Sequence, residues 1–563
     1  MAALIAGVVA CASVLFVATA GIGVLAAYDR GAALVRFALL AAGFLLFVPL
    51  SWLGAGGPGR TVAGVLSLGS LAAAAALSAY FLLTYDLDAA ETHFSAVSAL
   101  AEPLLALRPS VTLTDTVNPN VAGGALIILL LTGTGGLLWL LRRRSIFLKI
   151  VLLLLLLPAL LFAGLTLVIT ESRGAWAAGV AGAATLAIAL WRSGSSHHRS
   201  VRLAADAAAL LGALVLAAAI AFVLAAPAQA GGILTHLGGS TALGRAQLWP
   251  DGRAIAADYR FTGSGLGSTM MVYSTYYLLL HVGHTSHMHN LYLEIAVQQG
   301  VPGLIAFLCL AAGTAALPAI TLAEGTPGRR RLAAGALAAI VALLVHGLID
   351  AGLYASRLAP LLALPLAIAW PIRPRRRTDD RVAWGSLSFL GAVLPIALTA
   401  LVFVWPGNRA AFQANLGAVE QTVAELSVYE WPAWPLQDDL RRTGGVDLAA
   451  AEARYTAALL LDPGNVTAHQ RLGQIALARG DLDAAEHHLA AAYAAAPDRR
   501  PVRQLLGEIY ALQGEPERAV QLWQGLDLRS GQLPAREFWY GHVEQPEHLE
   551  RLRAAIAAWR TQQ

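Results

Sequence analysis

An all-α membrane protein, a polytopic bundle of about eleven transmembrane helices followed by a short α-solenoid, is what three features of this 563-residue chain predict. Hydrophobic residues make up 57% of it and charged residues only 13%, at a mean hydropathy of +0.61. That balance is far too apolar for an ordinary soluble protein of this length. Apolar runs of the roughly 20 residues that cross a bilayer recur from the first residues to about Pro406. Past that point polar and charged residues become frequent and the sequence begins to repeat itself.

Taken in order, the apolar runs place spans near 3–27, 32–53, 61–84, 121–141, 146–170, 175–191, 203–226, 291–320, 332–350, 357–372 and 383–405. The first lacks a basic leader and is followed directly by another span, so it reads as a retained transmembrane helix and not as a cleaved signal. Arginine clusters between spans set the orientation, because positive residues in short loops stay on the cytoplasmic side. Arg142 to Arg144, the loop Arg192 to Arg202, Arg329 to Arg331 and the run Arg373 to Arg377 all fall on one side. With the N-terminus inside, the loop 85–120, the turn Ser172-Arg173-Gly174 and the long segment 227–290 lie outside, as does everything after the last span. Trp176, Trp191, Trp249, Trp370 and Trp405 fall near span ends, where an interfacial aromatic belt sits.

The organisation is therefore a membrane core, 1–405, with the outer loop 227–290; a linker or membrane-surface segment, 406–445, carrying Trp431, Pro432 and Trp434; a repeat region, 446–530; and a helical tail, 531–563. In the repeat region Leu472-Gly473 recurs as Leu506-Gly507, Gly480 as Gly514 and Ala485 as Ala519, a 34-residue period. This is the tetratricopeptide period, in which each helix pair buries its apolar face only by stacking on the next. Such a stack offers a surface to a protein partner, or it caps and steadies the membrane part; no catalytic constellation is visible in it. Asn465-Val466-Thr467 fits a glycosylation pattern too short to carry weight.

Charge and cysteine content exclude other classes. The formal charge of +4 comes from arginines spread between apolar runs and not from one basic face, which argues against nucleic acid. Cys11 and Cys309 sit far apart inside apolar runs, so neither a disulfide framework nor a thiolate metal site is implied.

The chemistry-bearing residues concentrate in the segment 227–290, which has little apolar periodicity and is long enough to be functional. It carries Gly244-Arg245, Leu248-Trp249, Arg260, the run Gly263-Ser264-Gly265-Leu266-Gly267, and His281, His284, His287 and His289. His289-Asn290, nine residues, then Gly300-Val301-Pro302-Gly303 opens an apolar span with a polar pair. An imidazole at a membrane edge suits the removal of a proton from an attacking hydroxyl; it equally suits a satisfied histidine at a helix start. Arg173, Arg245 and Arg260 are candidates to grip phosphate through paired hydrogen bonds, or ordinary interfacial cations. The histidine stretch has no carboxylate beside it in sequence, so no metal is expected there. Asp350, four residues after His346, reads as a structural polar pair on one helical face.

These pieces, in this order from about Asn118 to Asp350, resemble the bacterial O-antigen ligase and O-antigen polymerase superfamily: Asn118-Pro119-Asn120 before a span, Ser172-Arg173-Gly174 between spans, Gly244-Arg245 with Leu248-Trp249, the glycine run, and His289-Asn290-x9-Gly300-x-x-Gly303. The last is the most specific. Leu304 after the final glycine, and Tyr259-Arg260-Phe261 before the glycine run, depart from the usual pattern and leave ligase against polymerase open. The resemblance implies a metal-independent, inverting glycosyltransferase of the bacterial inner membrane that uses no cofactor. Its donor would be a glycan on undecaprenyl diphosphate and its acceptor a lipid, glycan or protein. By the same resemblance His289 is the base, Arg173, Arg245 and Arg260 bind the lipid diphosphate, and Asn290, Trp249, Gly265, Gly300 and Gly303 support the site. The competing class is a lipid-linked glycan flippase, which calls for ionisable residues in mid-span; here the notable charges gather at span ends and in one loop.

Overall fold

A computed structural model describes residues 1–52, 57–85, 116–142, 145–194, 199–238, 240–277, 285–373, 381–430, 436–526 and 532–562, with Phe94, Val97, Ala99, residues 101–103 and Leu528. Every regular element among them is helical. The membrane part comprises α1 (Ala2–Ala26), α2 (Arg30–Trp52), α3 (Gly57–Thr84), α4 (Pro119–Leu140), α5 (Ile146–Ile169), α6 (Arg173–Gly194), α7 (Arg199–Ala225), α8 (Pro227–Gly238), α9 (Ser240–Asp258), α10 (Thr269–Tyr277), α11 (Leu291–Glu324), α12 (Pro327–Gly347), a 3-10 turn (Ala359–Ala363) running into α13 (Leu364–Ile372), and α14 (Arg381–Val404).

Nine helices among the described residues are long and apolar enough to cross a membrane, against the eleven expected. The two remaining candidates are α2 and the shorter apolar stretch Ala359–Ile372. Helix α4 is the hub and is buried along nearly its whole length between α3 and α12. Gly135 of α4 and Gly335 of α12 meet so closely that a Cβ on Gly135 would fall 2.9 Å from the Cα of Gly335. Small residues at such a crossing let two backbones approach where no hydrophobic effect drives helices together. At the rim, α7 and α14 keep their apolar flanks exposed, as lipid-facing helices do.

The segment 227–290, read as largely irregular, contains α8, α9 and α10. Its polar residues obscure the period because much of that polarity is turned onto the C-terminal domain and not toward water. Nor is the glycine run a loose strap. It threads between α1 and a break in α11 at Gly300, where φ is +72°. There Ser264 N–H donates to Val297 O (2.7 Å), Leu266 N–H to Gly23 O (3.0 Å) and Val301 N–H to Arg260 O (2.8 Å). A Cβ on Gly300 would stand 2.7 Å from Arg260 O, so the crossing needs glycine for both its conformation and its space.

Beyond the membrane part lie α15 (Asn408–Leu426), α16 (Gln437–Thr443), α17 (Ala449–Leu461), α18 (Val466–Arg479), α19 (Leu482–Ala495), α20 (Arg500–Leu512), α21 (Pro516–Trp523), α22 (Gln532–His542) and α23 (Pro546–Arg560). Helix α15, expected within the linker, packs on α17 instead and extends the stack, with Tyr455 Oη donating to Gln421 Oε1 at 2.7 Å. Trp431, Pro432 and Trp434 lie outside the described residues. The stack is pinned internally by buried Arg441, which donates to Glu425 and Asp438, and by buried Arg536, which pairs with Glu508 and Asp438. Trp249 is buried and does not belong to an interfacial belt, whereas Trp191 and Trp405 are exposed.

Candidate functional site

The helix ends gather the named residues at one end of the bundle. At the start of α4, Asn118 caps the helix by accepting from Asn120 N–H (2.9 Å), and Ser172 Oγ, just before α6, donates to Asn120 Oδ1 (2.8 Å). This brings exposed Arg173 to the same end. The end of α12 arrives there too, since a Cβ on Gly174 would lie 3.6 Å from Ile349. At the opposite end Arg331 donates to Leu138 O (2.6 Å), so Arg331 and the candidate site occupy opposite ends of the core.

His289 stands immediately before α11 at φ +48°, an uncommon conformation for a residue with a side chain. Its neighbours hold it there. Its own N–H donates to His287 Nδ1 (3.1 Å), and Met288 N–H donates to Glu294 Oε2 (2.7 Å). Trp249 Nε1 donates to Met288 O (3.1 Å), and Asn290 caps α11 by accepting from Tyr292 and Leu293 N–H while donating to Leu348 O (2.8 Å). The tight turn stacks the His287 and His289 rings edge to face at 4.2 Å between centroids.

Asp350 faces this pair. Asp350 lies three residues past the end of α12 at Gly347; its N–H donates to His346 O (3.0 Å) and its carboxylate turns to His289, with Nδ1 to Oδ2 at 3.4 Å. The other oxygen accepts from Gly352 N–H (2.6 Å). Burial alone would push the Asp350 carboxyl up; His289, the neighbouring His346 and His287, and the Gly352 N–H outweigh it and hold it at about 2. The Asp350 side chain is 3% exposed and that of His289 32%, so an anion fixed inside the protein backs an imidazole that reaches the surface. The negative charge beside Nδ1 favours the tautomer with the proton on that nitrogen, which leaves Nε2 to accept one.

His289, Asn290 and Trp249 are thus brought together, with Arg173 at the same end of the core. Arg245 lies in α9 one turn before Trp249; its side chain, His281 and His284 lie outside the described residues. Arg260 is elsewhere: it donates to Asn408 Oδ1 (2.9 Å), while its backbone meets α11 at Val301, three helical turns from His289. Gly265 and Gly300 belong to that same crossing, and Gly303 is packed on Thr19 of α1. Sequence reasoning missed the roles of Asp350, His287 and Glu294. Glu294 left a signal, being an acid in an apolar run. It is fully buried and accepts from Thr269 Oγ1 (2.8 Å), tying α10 to α11.

The C-terminal domain docks on the same outer segment. Asp258 at the end of α9 accepts from Thr467 and Arg499; Asp251 accepts from Arg500 (3.1 Å) and Tyr273 (3.0 Å); and Arg471 donates to Tyr259 Oη (3.1 Å). Asn415 holds the backbone N–H of Phe261 (2.8 Å). The sequon-like Asn465-Val466-Thr467 is accounted for here, because Asn465 caps α18 and Thr467 is in the seam.

Comparison with known proteins gives two matches. Residues 158–308 match the O-antigen ligase family model, and residues 476–534 match a tetratricopeptide repeat model. The first runs from α5 into α11 and takes in Arg173, Arg245, Trp249, Arg260, His289, Gly300 and Gly303, though not Asp350. No curated protein matches the chain. The chain thus combines, among the described residues, nine helices able to cross a membrane, a segment that matches the O-antigen ligase family and a C-terminal tetratricopeptide repeat match, and the ligase match supports a glycosyltransferase-type role in polysaccharide biosynthesis.

Proposed function

We propose that this protein transfers a glycan from undecaprenyl diphosphate to an acceptor hydroxyl on the outer face of the bacterial cytoplasmic membrane. The observation that carries the reading is the pairing of half-exposed His289 with buried Asp350 at the end of the core opposite Arg331. Positive residues are retained in the cytoplasm, which supports an outward-facing site. The repeat domain grips α9 and α10 next to that site, which supports the same side for it.

In this reading the acceptor hydroxyl loses its proton to His289 Nε2 as its oxygen attacks the anomeric carbon. The bond from that carbon to the diphosphate oxygen breaks, its electron pair leaves with the lipid diphosphate, and the configuration inverts. Asp350 steadies the imidazolium that forms. Arg173 and Arg245 hold the leaving charge, a task guanidinium groups perform without a metal. Arg260, already held by Asn408, fixes the glycine crossing in place of the diphosphate.

The test is release of undecaprenyl diphosphate from a defined lipid-linked oligosaccharide by purified protein in liposomes, with products sized. His289→Ala is expected to lower the rate by about 10²–10⁴-fold while expression and thermal stability persist. Arg245→Ala is expected to lose about 10²–10³-fold. A ladder of products indicates a polymerase and a single conjugate a ligase. Normal turnover by His289→Ala refutes the assignment, and glycan lipid crossing the bilayer without release makes the protein a transporter.

A further inference from the structure

We propose that His287, His289 and Asp350 form a binding site for a divalent transition metal of the zinc type, and that the bound ion switches off the transfer chemistry by occupying His289 Nδ1. The regulatory half rests on the function proposed above; the binding half does not.

His289 Nδ1 and Asp350 Oδ2 face each other at 3.4 Å, yet both are buried without a hydrogen-bond partner among the described residues. A buried carboxylate oxygen left unsatisfied is costly, and such an atom in a folded protein calls for an explanation. Two ligand atoms that each stand about 2.0–2.1 Å from a tetrahedral zinc are about 3.4 Å apart. The gap is therefore that of two ligands on one ion, and it is long for a charge-assisted hydrogen bond.

A third ligand is in place. One donor atom from each of His287, His289 and Asp350 lies within 4.8 Å of the others. His287 Nδ1 accepts the His289 N–H, and the His287 ring supplies the third donor atom of the set. Two imidazoles and one carboxylate are a zinc-type donor set, to which water would add the fourth ligand. Borderline nitrogen ligands select zinc, nickel and copper over magnesium and calcium, which prefer oxygen. The sequence conceals this site because Asp350 is remote from the histidines along the chain, and only the end of α12 delivers it.

Occupancy has a chemical consequence. A neutral imidazole metallated on Nδ1 carries its proton on Nε2, and Nε2 then has no lone pair with which to accept one from an acceptor hydroxyl. The ion thus excludes the tautomer that base catalysis requires.

The experiment is equilibrium titration of the purified full-length chain in lipid nanodiscs with zinc chloride alone, against a chromophoric chelator. It is repeated with His287→Gln, with Asp350→Asn and with magnesium chloride, and thermal unfolding establishes that each variant is folded. X-ray absorption on the loaded protein reads the ligands directly. One zinc per chain is expected, bound through two imidazoles and oxygen, with affinity weakened by about tenfold or more in each folded variant, since even outer-shell partners are worth about 10–100-fold. Magnesium is expected neither to bind nor to compete. Stoichiometric zinc is expected to stop lipid diphosphate release, and a chelator to restore it. No site-specific zinc, or zinc binding that survives both substitutions, overturns the site. Zinc bound at these residues with transfer unaffected overturns the switch. A protein that binds zinc through them yet transfers nothing when metal-free keeps the site and loses the enzymatic reading.

Discussion

Two of the places where the described residues set a buried aspartate against a basic side chain are built to opposite rules. At the seam between the membrane part and the repeat stack, Asp258 and Asp251 are almost fully buried, and each is taken up by an arginine and a hydroxyl: Arg499 and Thr467 for one, Arg500 and Tyr273 for the other. At the candidate site Asp350 is buried as deeply, but it faces one half-exposed imidazole and keeps an oxygen unsatisfied. The seam holds parts together; the site keeps bonding capacity in reserve. A buried charge with all its bonds made resists change, and one left short of a partner is available to a proton or an ion.

That contrast can be broken at either place. The largest effect is expected at the seam: Arg499→Ala leaves Asp258 buried without its cation and should cost about 3–5 kcal/mol, read as thermal destabilisation of the full chain. Adding Asp258→Asn should recover part of the loss, and failure to recover would mean that Arg499 acts by packing alone. Next comes Asp350→Asn, which keeps the shape and removes the charge. It should lower kcat by about 10²-fold, equivalent to about 2.7 kcal/mol of barrier, with little change in KM or in thermal stability. An equal loss of stability would show that Asp350 belongs with the seam carboxylates. Third, Gly300→Ala puts a side chain at φ +72° against Arg260 O and should cost about 1–3 kcal/mol, measured by the same unfolding assay, with lipid diphosphate release by the folded fraction near normal.

The smallest effect concerns His488 in the repeat stack. Burial, and after it the neighbouring His469 and His487, lower its pKa from 6.5 to about 4. A histidine depressed in the folded state supports stability above its unfolded value, and that support is lost as pH falls from about 6.5 through about 4. Because the ring is half in solvent, the discounted effect is on the order of 1 kcal/mol. His488→Gln should flatten the stability profile over that window, and an unchanged profile would assign the acid sensitivity to another group.

Much of this was legible in the chain. The apolar runs gave the spans because a bilayer demands length and hydropathy above all, and both are local properties of sequence. The repeat period gave the stack, and His289-Asn290-x9-Gly300-x-x-Gly303 gave the imidazole at a span's edge. The errors share a cause. The outer segment 227–290 looked irregular because Asp251, Asp258, Tyr259 and Tyr276 face another domain and not water. The linker looked like a surface segment because the Gln421 and Glu425 that stud α15 are satisfied by Tyr455 and Arg441 further along. Polar residues buried against a distant partner break the periodicity by which a helix is recognised.

By itself, then, the sequence determined the class of the protein, the positions of nine of the eleven expected spans and the base candidate, since each depends on residues near one another in the chain. Only the tertiary structure decided that Asp350 faces His289, that Arg260 donates to Asn408, and that the repeats are bolted to the outer segment. Those outcomes depend on where α12 ends and on which helix ends meet, and partners 61 or 241 residues apart, such as His289 with Asp350 and Asp258 with Arg499, leave no local trace of the bond between them.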